Sequence, residues 1–117
     1  MAGISTHVLD SSTGRPGAGV RIDLSEFDGK AWKFVKTMTT NADGRTDQPV
    51  VAPDAARVGQ YELQFHVGDY FQRKNGPGAE APFLDTVPVR FAIFDVKQHY
   101  HVPMLCSAWS CTTYRGS

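Results

Sequence analysis

The sequence predicts an all-β protein, a two-sheet antiparallel β-sandwich with one short helix. Three observations carry that prediction: apolar residues recur at every second position, turn-forming clusters separate these runs, and a single segment reads as helical. A parallel α/β sheet would need crossover helices, whereas many short strands joined by tight turns fold as a sandwich of about a hundred residues. At 117 residues the chain suits one domain, residues 1–117, with one modest core.

In the first strand Ile4, Thr6 and Val8 share one face and Ser5, His7 and Leu9 the other. Val8, flanked by apolar partners, marks the core face, so His7 points away from the core. The turn Thr13-Gly-Arg-Pro-Gly17 leads into a second strand, where Val20, Ile22 and Leu24 alternate with Arg21, Asp23 and Ser25. Asp28-Gly29 and Asn41-Ala-Asp-Gly44 are further turns, supplying residues that accept a positive φ. Residues 47–59, with Pro49 and Pro53, read as an irregular connection. Tyr61, Leu63, Phe65 and Val67 then alternate with Glu62, Gln64 and His66 as another strand. Gly68–Asn75 is the helical segment, with Asp69 as the N-cap candidate and Gly76 as its stop. Beyond Asn75-Gly-Pro-Gly78, Val87, Val89, Phe91 and Ile93 alternate with Pro88, Arg90 and Ala92. In residues 98–104, Tyr100, Val102 and Met104 form the apolar set, which leaves His99, His101 and Pro103 on the opposite face. Seven or eight strands result.

Charge and composition narrow the partners. Lys and Arg total 12, as do Asp and Glu, so there is neither a basic footprint for nucleic acid nor a polybasic segment for an anionic membrane. With 41% hydrophobic residues and no apolar run long enough to span a bilayer, the chain reads as soluble and not as a membrane protein. The N-terminus lacks a charged leader and a long apolar stretch, and the C-terminal residues are not a Ser-Lys-Leu address, so a cytoplasmic location is expected. Cys106 and Cys111 form no CxxC pair and no wider framework, and both are expected to be reduced packing residues. The partner to expect is a small molecule or another protein chain.

Two imidazoles, His7 and His101, thus lie on the outer faces of strands, beside Leu9, Pro103 and Leu105. A flat sheet face is no pocket, so such an apolar-walled surface calls for a cover, and a second copy of the chain is the natural one. Hydrolysis, metal binding through His99-x-His101 and a ligand channel all remain open. A catalytic zinc takes three protein ligands, and neither the cysteine spacing nor an HExxH pattern supplies the rest, so no metal and no cofactor are expected. There is no Gly-x-Ser-x-Gly elbow or P-loop to support covalent or phosphoryl chemistry.

Ser5-Thr-His-Val-Leu-Asp10, Thr13-Gly-Arg-Pro16, Thr40-Asn-Ala-Asp-Gly-Arg45, Gly59-Gln-Tyr61, His99-Tyr-His-Val-Pro103 and Tyr114-Arg-Gly-Ser117 occur in this order along nearly the whole chain. In these segments the sequence resembles the 5-hydroxyisourate hydrolases, the transthyretin-related enzymes of urate degradation. The His-Tyr-His-Val-Pro strand and the Tyr-Arg-Gly-Ser end are the specific part, absent from the hormone carrier transthyretin. The resemblance implies a transthyretin-like fold of two four-stranded sheets and a homotetramer, a dimer of dimers with its sites in the channel between subunits. It implies hydrolysis of 5-hydroxyisourate to 2-oxo-4-hydroxy-4-carboxy-5-ureidoimidazoline by histidine-assisted attack of water on a cyclic amide. Carried over by position, the site comprises His7, Arg45, His101, Tyr114 and Ser117, with His7, Arg45 and Tyr114 contacting substrate. The chain departs from the family at Cys106, Ala108 and Cys111, where leucine, proline and tyrosine would be expected.

Each residue type suits a task. A neutral histidine can take a proton from water near pH 7, and Arg45 can grip a carbonyl edge and stabilise negative charge. Tyr114 can stack on or hydrogen-bond the heterocycle, and Ser117 can orient a histidine or the water. His99 is expected to be a bystander. The rival function is a transthyretin-like carrier that binds a ligand without turnover, which would want an apolar channel rather than these polar groups.

Overall fold

The computed structural model describes residues 3–116, and in it the alternating runs become eight strands and one helix. They are β1 (Gly3–Asp10), β2 (Arg15–Pro16), β3 (Arg21–Phe27), β4 (Trp32–Thr39), β5 (Gly59–His66), α1 (Val67–Asn75), β6 (Thr86–Ile93), β7 (His99–Cys106) and β8 (Cys111–Thr113). Two four-stranded sheets result, in the orders β2-β1-β7-β8 and β4-β3-β5-β6. The all-β sandwich agrees with the sequence, with one refinement: β1 and β7 pair in parallel, from Gly3 opposite His99 to Asp10 opposite Cys106. The remaining strand pairs are antiparallel. Local turns dictate direction only for strands they join, and paired residues such as Thr6 and Val102 are 96 positions apart.

The core lies between the sheets, as the alternation requires. Ile4, Thr6 and Val8 of β1 and Tyr100, Val102 and Met104 of β7 face Ile22, Leu24, Leu63 and Phe65 across it, all buried. Burial of each large apolar side chain contributes about 1.5–3 kcal/mol. Thr6, a polar member of its row, donates from its hydroxyl to the Val102 carbonyl at 2.6 Å, so its hydroxyl is not left unpaired.

The helix begins one residue before the expected segment, and Asp69 is not its N-cap. His66 occupies that position and makes no side-chain capping bond. Asp69 instead lies in the first turn, where its charge favours the helix dipole and its carboxylate meets Arg73 at 3.3 Å one turn on. What ties α1 to the sandwich is Asp10, at the end of β1, whose side chain is fully buried. Its carboxylate accepts from Lys74 Nζ at 2.5 Å, from the Tyr70 hydroxyl at 2.9 Å, and from the backbone and hydroxyl of Ser12. Burial alone would push the Asp10 carboxyl up, but the Lys74, Ser12 and Tyr70 hydrogen bonds outweigh it and hold it below its ordinary value. Tyr70, half-buried against the same carboxylate, is pushed up to about 12 by that burial and by its hydrogen bond to Asp10.

Cys106 and Cys111 are joined in a disulfide, contrary to the expectation that both are reduced. The reason is register: β7 and β8 form a tight hairpin that sets Cys106 directly opposite Cys111, with Cα atoms 4.2 Å apart. Ser107 closes the turn, its N–H donating to the Ser110 carbonyl at 2.8 Å and its hydroxyl accepting from the Trp109 and Ser110 amides. Among the described residues no helix is long and apolar enough to cross a membrane.

Replacing Asp10 with alanine strands the Lys74 ammonium and the Tyr70 hydroxyl, and should cost about 3 kcal/mol of unfolding free energy in urea titrations. Because the folded-state value of Asp10 is depressed, its contribution is complete above pH 3.8 and fades as pH falls further. The wild-type advantage over the alanine variant should therefore shrink in acid. Iodoacetamide under denaturing, non-reducing conditions should add no mass to the protein, and prior reduction should allow two additions. Labelling without reductant would place the cysteines back in the reduced state.

Candidate active site

Parallel register partners share a face, so β1 and β7 present Ser5, His7 and Leu9 beside His99, His101, Pro103 and Leu105 on the side away from the core. The outward placement of both histidines agrees with the sequence pattern. Ser5 stands opposite His101 in the ladder, and its hydroxyl lies 2.7 Å from His101 Nδ1 and 2.7 Å from His99 Nε2. A serine hydroxyl has one proton, so it donates to one imidazole and accepts from the other. With Nδ1 of His101 engaged by Ser5, Nε2 is the nitrogen left for chemistry.

Arg45 reaches this face through a local device. In the Asn41-Ala-Asp-Gly44 turn the Asn41 side-chain carbonyl accepts from the Asp43 and Arg45 amides at 2.9 and 3.2 Å, an Asx turn that preforms the loop. The loop then docks on β1, with the Val8 amide donating to the Gly44 carbonyl at 2.8 Å and His7 paired with Arg45 in an isolated bridge. Only glycine fits at position 44, where φ is +76° and an added Cβ would lie 2.4 Å from the Val8 carbonyl oxygen. The five residues 41–45 thus fix an exposed guanidinium near two half-buried imidazoles.

The electrostatics follow. Burial, and then the Arg45 guanidinium, hold His7 below 6.5, while a hydrogen bond to the Asp43 backbone works the other way. His101 is held below 6.5 by burial first, then by Arg45, His7 and His99. Both rings are therefore neutral at pH 7, and each can accept a proton.

The residues after β8 turn back over β7. The Gly116 amide donates to the His101 carbonyl at 2.8 Å, and Gly116 packs so closely that a Cβ there would lie 2.6 Å from His101 Cδ2. Arg115 clamps this arrangement, stacked 4.3 Å over the Tyr100 ring and donating to Gln98 Oε1 and the His99 carbonyl. Pro103, an outward residue of its strand, is buried beneath the returning chain. Tyr114 is 59% exposed, and with His101, Arg115, Phe94, Val89 and Phe91 it lines a cavity of about 360 Å³.

The structure brings His7, Arg45 and His101 together on one outward face, and Tyr114 lies in a cavity that includes His101. Ser117 lies outside the described residues. The sequence reading passed over Ser5, Gly116 and the link from His99 to Ser5. The signal for Ser5 was present, since it shares a face with His7, but joining it to His99 and His101 needed the parallel pairing. Among the described residues no group of three or more His, Cys, Asp and Glu side chains is arranged to hold a metal ion.

The sequence profile of the HIUase/transthyretin family matches residues 4–116, which take in every element described above except the first residue of β1. A 5-hydroxyisourate hydrolase of Deinococcus radiodurans is 47% identical over 115 residues, covering 98% of this chain and 96% of that one. The structure of Klebsiella pneumoniae 5-hydroxyisourate hydrolase superposes with a TM-score of 0.81 at 32% identity and covers 100% of both chains. The crystal structure of (S)-allantoin synthase matches with a TM-score of 0.88 at 41% identity, over 99% of this chain but only 44% of that longer one. The profile match, the near full-length similarity to named hydrolases and the shared sandwich agree: the chain belongs to the HIUase/transthyretin family.

Proposed function

We propose that this protein, as a single domain, hydrolyses 5-hydroxyisourate to 2-oxo-4-hydroxy-4-carboxy-5-ureidoimidazoline, a step of urate degradation. The observation that carries the reading is the pair of neutral imidazoles, His7 and His101, set beside one guanidinium on an outward sheet face. Opening a cyclic amide with water requires a proton acceptor for the attacking water, positive charge for the developing oxyanion, and grip on a flat polar ring. His101 takes the water proton at Nε2, with Ser5 fixing the ring through Nδ1. Arg45 holds the carbonyl edge and stabilises the oxyanion, and it also lowers the chance that either histidine is already protonated. His7, bridged to Arg45 and on the same outward face as His101, is placed to hydrogen-bond substrate. Tyr114 covers the heterocycle, and Ser117 takes the role of orienting a histidine or the water.

The fully functional state in this reading is a homotetramer, a dimer of dimers in which a second copy covers the face. Support comes from the openness of the face in one chain, where Arg45 and Tyr114 are exposed. The reading keeps a cytoplasmic setting; the Cys106–Cys111 disulfide, a bond commoner in oxidising compartments, weighs against it. Fractionation of cells with thiol trapping decides the point, since activity recovered outside the cytoplasm would move the enzyme.

Added to urate undergoing oxidation, the purified protein should accelerate loss of the 5-hydroxyisourate absorbance; decay at the spontaneous rate would remove the enzyme assignment. Arg45→Ala should lower kcat/KM by about 10²–10³-fold, the scale for losing an oxyanion donor. A change confined to KM would show that Arg45 only binds. With both histidines held below 6.5, the acid limb of the kcat/KM profile should fall below pH 6.5 and should move upward in Arg45→Ala, because removing the cation restores basicity. Gly116→Ala should push the His101 ring off its Ser5 bond and reduce kcat by about 10²-fold at nearly unchanged stability, read by steady-state kinetics alongside urea titration.

A further inference from the structure

The reading above leaves a proton on His101 in the place least suited to hold it. Burial, the Arg45 guanidinium and the imidazoles of His7 and His99 all disfavour an imidazolium there. The net reaction also releases a proton, since the carboxylic acid formed by amide hydrolysis is ionised at neutral pH. The face contains a path out. Ser5 Oγ sits 2.7 Å from both His101 Nδ1 and His99 Nε2, and His99, the first residue of β7, is exposed in the single chain. These are distances for proton transfer through ordered donors and acceptors, and the hydroxyl both accepts and donates.

We propose that Ser5 and His99 form, with His101, a proton relay that carries charge from the reacting water to solvent. The proposal rests on His101 being the proton acceptor in the function above. As the water oxygen bonds to the carbonyl carbon, one O–H bond breaks and that proton goes to His101 Nε2. The proton on His101 Nδ1 passes to Ser5 Oγ, and the original Ser5 hydroxyl proton passes to the lone pair of His99 Nε2. His99, now cationic where water screens it, releases its Nδ1 proton to solvent. When the carbon–nitrogen bond breaks, the flow reverses: His101 Nε2–H protonates the departing ring nitrogen, Ser5 reprotonates Nδ1, His99 Nε2–H restores Ser5, and solvent restores His99 Nδ1. The second water proton remains on the new carboxylic acid and leaves as it ionises. One water is consumed and one proton is released.

Ser5 and His99 act through His101 and do not touch substrate; they are positioning residues, so their loss should alter turnover rather than binding. In His99→Gln, a change at an exposed side chain, kcat should fall about 10-fold with KM within twofold. Adding free imidazole should restore most of that loss in a concentration-dependent way, while wild-type kcat should not respond. Ser5→Ala should show a similar fall without imidazole rescue, and Ser5→Thr, which keeps the hydroxyl, should recover kcat. In mixtures of H2O and D2O the wild-type rate should curve with deuterium fraction, as for several protons in transit, and Ser5→Ala should give a straight line. A wild-type kcat in His99→Gln, or a lowered kcat that imidazole leaves unchanged, overturns the relay. If instead His101→Asn retains full hydrolysis, it is the catalytic reading that fails.

Discussion

The structure depends on the parallel ladder between β1 and β7. Two strands nearly a hundred residues apart in sequence lie side by side in the middle of a sheet, with β2 and β8 as the edges. Their inner rows, Ile4, Thr6 and Val8 with Tyr100, Val102 and Met104, supply much of the core, and their outer rows carry the imidazoles. One register therefore settles packing and chemistry together. A slip of one residue would turn His101 into the core and Val102 out to solvent, and both would be lost at once.

Arg45 adds the second constraint. Its loop holds a permanent cation near two partly buried histidines, a costly arrangement if either were charged, and it is tolerable because both stay neutral. The same repulsion that secures their basicity makes the protonated intermediate unfavourable. A serine bridge to an exposed imidazole relieves that tension without moving any backbone.

Most of the architecture could be read from period and turns, because inward and outward rows along β1, β3, β5, β6 and β7 obey simple alternation. The outward direction of His7 and His101 followed from the same rule. Three things did not. The parallel direction of β1 and β7 is a long-range choice that no local turn encodes. The Cys106–Cys111 bond needed β8, a strand of three residues too short to show a period. Asp69 resembled a cap by residue type, but helix starts depend on backbone geometry that tertiary contacts had already set at His66. Arg45 and Tyr114 were visible as candidate site residues only through family resemblance, since an arginine in a turn and a lone tyrosine carry no pattern of their own.

The disulfide has a consequence for Tyr114. With Cys111 tied to Cys106 and the Gly116 amide held by the His101 carbonyl, the intervening residues form a short loop fixed at both ends. Tyr114 therefore has rotamer freedom without chain freedom. Settling its ring against a ligand costs the entropy of two side-chain torsions rather than of a peptide segment, so an exposed aromatic near the chain end can serve as a contact already in place.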